Sequence, residues 1–359
     1  MALKIITERT DLSDKYVIVR SSCNVPLDGE TVRNAYRLER ALPTLEFLRS
    51  AGAKTIVISH IGRKTSDSLR PVFSALEKIL PLSWGGAITA PEFKNLHAAM
   101  TPGDIVFCEN LRQDEREEEN DAGLAEMIAG YGEIYVNDAF AEAHRQHAST
   151  YGVALKIPAY AGITLAEEVE KLSVVMQPTR PALFLLGGAK FETKMPLVTK
   201  YLDIYDQVFI GGALANDVLK GRGFEVGQSL VSAVSLSGEP FLANPKLIVP
   251  VDVVVATNTG KEVRAVSAVK PEERILDVGP KTVSLLEPLI QSAATVLWNG
   301  PFGNYEAGFV EGTEAVAKLV ANAPAYSVVG GGDTVAAVEK LGLNDDFDFV
   351  SIGGGSMLT

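Results

Sequence analysis

Cysteine is nearly absent from this 359-residue chain: Cys23 and Cys108 are the only two, and they lie far apart. Two isolated thiols give neither a disulfide framework nor a thiolate metal cluster, and they fit a reducing, cytoplasmic setting. Long apolar runs are missing too. No charge-free stretch is long enough to span a bilayer, and the opening Met1-Ala2-Leu3-Lys4-Ile5-Ile6-Thr7-Glu8-Arg9 lacks the apolar core of a signal peptide. Positive charge is in deficit, with a formal net charge of −12. That argues against a general nucleic-acid binder. It leaves room for an anionic small molecule, because a cleft focuses its own local field. Two standard nucleotide signatures are also absent: G-x-x-x-x-G-K-[ST], and G-x-G-x-x-G after a strand. Their absence counts against a P-loop enzyme and a nicotinamide dehydrogenase.

What remains is a globular composition, 47% hydrophobic and 22% charged, long enough for two domains with separate cores. Short β-branched runs at Tyr16-Val17-Ile18-Val19-Arg20, Lys54-Thr55-Ile56-Val57-Ile58-Ser59, Asp104-Ile105-Val106-Phe107-Cys108 and Glu133-Ile134-Tyr135-Val136 read as strands. A helical pattern covers 34–50, with Leu38, Leu42, Leu45 and Leu48 on one side. Strands alternating with helices imply a parallel, doubly wound sheet, and ligands of such sheets bind beyond the carboxyl ends of the strands. Each run here empties into polar or basic residues. Arg37, His60, Arg63, Arg112, His144, Arg145 and His147 are therefore expected around one crevice. Singly, each is an ordinary solvated or ion-paired residue. Their shared placement is what singles them out.

An amphipathic pattern over 162–177, closed by Pro178 and Pro181, marks the boundary. The expected division is 1–161, an interdomain helix 162–177, and 178–359. In the second half the theme repeats with glycine in place of arginine. Pro181 to Leu186 runs into Gly187-Gly188-Ala189-Lys190, and Gln207 to Ile210 into Gly211-Gly212. Thr295 to Trp298 runs into Asn299-Gly300-Pro301, Tyr326 to Val329 into Gly330-Gly331-Gly332-Asp333-Thr334, and Phe349 to Ile352 into Gly353-Gly354-Gly355. Lys246 to Ala256 reads as one long β-branched stretch. Glycine loops after five strands suit a nucleotide or polyphosphate held by backbone N–H groups. Lys190 and Lys194 are four apart: if the helix has begun they share one face and can converge on one anion, and otherwise they are two solvated lysines of an ordinary strand–turn–helix. Asp333, between three glycines and a helix, is placed to hold Mg²⁺ beside phosphates.

In order and spacing these segments resemble the phosphoglycerate kinase family over nearly the whole chain. The resemblance is carried by Asn24-Val25-Pro26-Leu27, Ser59-His60-Ile61-Gly62-Arg63, Glu109-Asn110-Leu111-Arg112, Asn137-Asp138-Ala139-Phe140, Ala143-His144-Arg145, Gly187-Gly188-Ala189-Lys190, Trp298-Asn299-Gly300-Pro301 and Gly330-Gly331-Gly332-Asp333. It implies an α/β fold of two doubly wound parallel-sheet (Rossmann-like) domains joined by a hinge helix. The first would hold 3-phosphoglycerate or 1,3-bisphosphoglycerate, the second Mg-ADP or Mg-ATP, with in-line phosphoryl transfer in a closed cleft. By position, Ser22, Cys23, Asn24, Arg37, His60, Ile61, Gly62, Arg63, Arg112 and Arg145 would contact the acid substrate. Arg37 and Lys190 would flank the transferring group. Gly188, Lys194, Gly212, Asn299, Glu306, Gly331, Gly332, Asp333 and Thr334 would surround the nucleotide, with Asp333 on the metal. A cytoplasmic, glycolytic monomer without nucleic-acid or membrane partners is expected.

The sequence departs from the family pattern at several places. Ser22 stands where the family has an acidic residue that binds the substrate hydroxyl, and Cys23 where it has Phe. Ala141 and Glu142 replace a glycine and a small residue beside Arg145. Lys64, Gln113, Thr193, Ile352 and Met357 are further changes, and the sequence ends at Thr359 where the family usually continues. These departures leave open a catalytically impaired relative, or a kinase for a different small carboxylic acid.

Overall fold

The structure is a computed structural model describing residues 3–189, 191–257 and 260–358. Lys190, one of the two residues expected at the transferring group, lies outside the described residues. The chain divides into two compact units, Met1–Glu170 and Lys171–Thr359.

In the first unit Tyr16–Ser21 lies inside a six-stranded sheet, paired in parallel with Lys54–Ile58 on one side and Ile134–Asp138 on the other. Ile105–Cys108 and then Ser83–Gly86 extend one edge, and Ala159–Ala161 forms the other. Successive side chains of a strand point to opposite faces. Val17, Val19 and Val57 accordingly join one hydrophobic core, and Ile18, Ile56 and Ile58 a second core on the other face. A strand buried on both faces needs an unbroken apolar run, and that is what the sequence supplies. The sheet order reverses at Tyr16–Ser21, so its carboxyl end opens into a switch-point crevice.

The expected helix over 34–50 is two helices, Tyr36–Glu39 and Leu42–Ser50. Pro43 causes the break, since it has no N–H to give to Glu39 and its ring crowds that carbonyl. Ser83–Gly86 and Ala159–Ala161 escaped the sequence reading because serine, glycine and alanine carry no strand signal.

The second unit has a parallel sheet ordered Leu247–Ile248, Gln207–Ile210, Ala182–Leu186, Thr295–Asn299, Tyr326–Gly330, Phe349–Ser351. Its first strand is again internal, and the order reverses between Ala182–Leu186 and Thr295–Asn299. A separate antiparallel sheet contains Gly260–Ala265, Asp252–Thr257 and Arg274–Val278. The stretch read as one strand over 246–256 is therefore split between two sheets. Pro250, which has no N–H for a ladder, sits at the break.

Ile163–Met176 is a single helix, and the division after Glu170 falls within it. Its first turn is tied to the first unit: Ile163 N donates to Thr44 Oγ1 at 2.9 Å and Leu165 N to Asp138 Oδ1 at 3.0 Å. Among the described residues, no helix is long and apolar enough to cross a membrane.

Candidate active site

The crevice of the first unit is built on Arg20, a guanidinium inside a β-branched strand and only 1% exposed. It donates to Ser21 O at 2.6 Å, Ser149 Oγ at 3.0 Å and His60 Nδ1 at 2.9 Å. A guanidinium has no acceptor, so His60 Nδ1 accepts and the neutral ring carries its proton on Nε2. Burial, followed by the charges of Arg20, Arg112, Arg145 and His147, holds the His60 pKa down at about 2. His60 is thus a neutral donor in the middle of converging cations. Behind Arg20, Ser149 Oγ donates to buried Glu117 at 2.5 Å, which places one carboxylate at the back of the cluster.

Short bonds fix the loops around this centre. Cys23 N donates to Ser59 Oγ (3.1 Å), which donates to Ser21 O (2.6 Å). Gly62 N donates to Asn24 Oδ1 (3.1 Å), Arg37 Nη1 to Asn24 O (2.7 Å), and Arg112 Nη1 to Gly62 O (2.5 Å). Ile61 exchanges two bonds with the side chain of Asn110. Arg37, Asn24, Gly62 and Arg112 thus form one connected string, and the charge of Arg145 acts on both His60 and Arg112. Arg63 is on the same loop with an exposed side chain, and its N–H is held by Asp67 Oδ2 at 3.0 Å. Ser22 and Cys23 are buried beneath these groups. Ser22 Oγ, Arg112 Nε and Glu142 Oε2 are buried with no hydrogen-bond partner among the described residues. The sequence reading missed Arg20, Ser59, Asn110, Glu117 and Ser149 as supports of the site. A charge at the end of a β-branched run was the one available signal, at Arg20.

The crevice of the second unit is built from backbone. Gly187 and Gly300 cross so closely that a Cβ on Gly187 would stand 2.3 Å from Pro301 O. Gly187 N donates to Asn299 O (2.8 Å) and Gly188 N to Pro301 O (3.1 Å), which locks the two loops together. Gly300 has φ +91°, a conformation that a side chain strains. Beside this crossing lies a cleft of about 660 Å³, lined among others by Gly188, Gly212, Leu230, Leu276, Glu306 and Asp333. Helices Gly212–Gly221 and Gly332–Lys340 start near it, and unpaired amides at helix starts favour anions.

Of the residues expected around a nucleotide, Gly188, Gly212, Glu306 and Asp333 line this cleft. Asn299 instead turns its amide to Gly354 O at 3.0 Å, and Lys194 Nζ donates to Gly187 O at 2.7 Å. Burial lowers the Lys194 pKa to about 8. Gly331 caps the helix that Gly332 begins, and Thr334 Oγ1 in its first turn is buried without a partner among the described residues. The apolar wall formed by Leu230, Ile275 and Leu276 gave no signal in the sequence. Among the described residues, no group of three or more His, Cys, Asp or Glu side chains could hold a metal by itself.

Residues 7–359 match the family model described as phosphoglycerate kinase. The chain belongs to the phosphoglycerate kinase family. It is similar to the phosphoglycerate kinase of Roseiflexus sp. (strain RS-1), at 40% identity over 379 aligned residues covering 100% of this chain and 96% of the relative. It is also similar to that of Moorella thermoacetica, at 41% identity over 99% of this chain and 95% of the relative. Among solved structures, phosphoglycerate kinase from Coxiella burnetii superposes with a TM-score of 0.83 at 37% identity, covering 99% of this chain and 95% of that one. The enzyme from Pyrococcus horikoshii OT3 gives 0.89 at 25% identity with the same coverage. The two parallel sheets flanked by helices are those of this family, and the chain is a phosphotransferase.

Proposed function

We propose that the protein catalyses reversible phosphoryl transfer between 1,3-bisphosphoglycerate and ADP, giving 3-phosphoglycerate and ATP. The observation that carries this reading is the pairing of two switch-point crevices of opposite construction. One is ringed by Arg37, His60, Arg112 and Arg145, and the other is walled by glycine backbone and helix starts. A small acid bearing phosphate suits the first, and a nucleotide polyphosphate suits the second.

In the proposed reaction a terminal phosphate oxygen of ADP attacks the acyl phosphate phosphorus. The bond from that phosphorus to the carboxyl oxygen breaks, and the carboxylate leaves. No general base is needed, because the attacking oxygen is already ionised. Phosphoryl transfer spreads charge over three equatorial oxygens, so catalysis is mainly positioning and charge stabilisation. Arg112 and Arg145 hold the acid substrate, neutral His60 donates from Nε2, and Arg37 with Lys190 flanks the moving group. Asn24, Gly62 and Ile61 set the loop, while Ser22, Cys23 and Arg63 complete the pocket. Gly188, Gly212, Gly331, Gly332 and Thr334 offer amides and a hydroxyl to the nucleotide, bordered by Lys194, Asn299 and Glu306.

Mg²⁺ fits this second site. It favours one or two carboxylates together with phosphate oxygens and water over an all-protein cage, and Asp333 is an exposed carboxylate lining the cleft. When bound, the ion offsets phosphate charge. The reading also takes the protein to be a cytoplasmic monomer. The alternatives opened by Ser22, an impaired relative or a kinase for another acid, are less well supported at about 40% identity over the full chain. A coupled assay with Mg-ATP and 3-phosphoglycerate tests the proposal. Turnover should depend on both substrates, and a rate no higher than the enzyme-free blank sinks it.

A further inference from the structure

We propose that Glu142 is a specificity-determining residue whose carboxyl oxygen accepts the hydroxyl proton of the substrate acid bound in the first unit. This inference rests on the substrate reading given above. Glu142 ends the helical turn Phe140–Glu142, which follows strand Ile134–Asp138, and it is only 4% exposed. One oxygen, Oε1, stands 4.0 Å from His60 Nε2, too far for a firm hydrogen bond. The other, Oε2, is buried and meets no donor among the described residues. A buried acceptor left in that condition is costly and calls for an explanation.

The surroundings narrow the explanation. That 4.0 Å approach to His60 sets Glu142 beside the cations of this crevice, and its charge is felt at Arg112 and at the thiol of Cys23. Ser22, next to Cys23, and Arg112 each bring a further buried polar atom without a partner. Three such atoms belong to residues of this crevice: an acceptor, a hydroxyl that both gives and takes, and an N–H donor. An anionic ligand held by the arginines presents phosphate and carboxylate groups, and Glu142 repels both. The one part of a hydroxy-acid phosphate that gains from a carboxylate acceptor is its hydroxyl. Ser22 Oγ then takes or gives a second bond to the same group. Ser22 and Glu142 are also two of the positions where the sequence departs from its family's pattern: an acidic side chain is missing at one and present at the other.

The test is calorimetric titration of the full chain with 3-phosphoglycerate and with 3-phosphooxypropanoate, the same skeleton without the hydroxyl. The wild type should prefer the hydroxylated ligand by at least about tenfold, as expected for a charge-assisted bond left unmade in the analogue. In Glu142→Ala the ratio should fall towards one, with the analogue binding as well as before or better because a repelling charge is gone. Glu142→Gln keeps the shape and a neutral acceptor, so it should retain part of the preference. A ratio unchanged in both variants overturns the proposal. So does an equal loss for both ligands, which would mean that Glu142 only holds its loop. If the wild type binds neither ligand, the substrate reading itself fails, a result distinct from either of these.

Discussion

The two units share a sheet plan and differ in what they place at its open end. In the first, side chains do the work: Arg20, His60, Ser149 and Glu117 form a buried relay that orients a ring of cations. In the second, peptide groups do it, at the crossing of Gly187 with Gly300 and at the starts of two helices. The contrast follows from the ligands proposed for each. A small acid must be told apart from similar acids, which takes directed side-chain donors. A polyphosphate is chiefly a run of charge, which fixed amides meet with no side-chain ordering.

The contrast breaks first at Arg20. Arg20→Met leaves His60 Nδ1 without its donor and takes from Ser149 Oγ the bond it accepts, leaving only the one it gives to Glu117, and it should cost about 3 kcal/mol. Hydrogen exchange should rise over Tyr16–Ser21 and Lys54–Ile58 while Ala182–Leu186 keeps its protection. Equal loosening of both strand sets would erase the distinction. Gly300→Ala is the counterpart in the other unit. The φ of +91° and the closeness of Gly187 O, 2.4 Å from where the new Cβ would stand, should cost roughly 2 kcal/mol. ADP affinity should fall with 3-phosphoglycerate affinity unchanged by calorimetry, and undiminished ADP binding would remove the crossing from the nucleotide site. Asp333→Asn should weaken Mg-ADP about tenfold, ~1.4 kcal/mol, and leave metal-free ADP alone. A parallel loss for both forms would take the metal away from Asp333.

The smallest effect separates the units by pH. His60 has a folded pKa of about 2 against 6.5 for the free side chain. As pH falls below 6.5 the unfolded chain takes up a proton that the fold refuses, so stability is lost. Relative to His60→Asn, the wild type should lose about 1 kcal/mol between pH 6.5 and 5.5 in urea unfolding. Asp138, pushed up to about 7 chiefly by burial, acts in the opposite sense, because its folded form gains a proton first and stability rises as pH falls. Comparing wild type with variant cancels that contribution. Lys194, lowered to about 8, shifts its balance between about 8 and 10.5, a window that acid does not reach. A gap between wild type and variant that stays constant with pH would show His60 to be no more buried than an ordinary histidine.

Much of this was written locally. Val17, Val19 and Val57 announce buried strands, and glycine pairs at 187–188 and 211–212 announce loops that approach a ligand. The placement of Arg37, His60 and Arg112 after successive elements foretold their convergence, because strand order alone brings carboxyl ends together. What stayed hidden depends on partners far off in the chain. Arg20 reaches His60 across 40 residues and Ser149 across 129, and no periodicity encodes such a bond. Glu117 sits in an acidic run that reads as solvated surface, yet it is buried. The division of 246–256 between two sheets was legible only at Pro250, a single residue set against a strong β-branched pattern.

The crossing of Gly187 and Gly300 has a consequence for inheritance. A recognition surface made of peptide groups offers almost nothing for mutation to adjust: replacing either glycine spoils it, and replacing its neighbours leaves its amides where they were. A surface made of side chains can exchange one residue for another and drift in preference while the scaffold stands. On this architecture, substitutions that alter which acid is accepted should therefore leave the fold standing more often than substitutions at the glycine crossing.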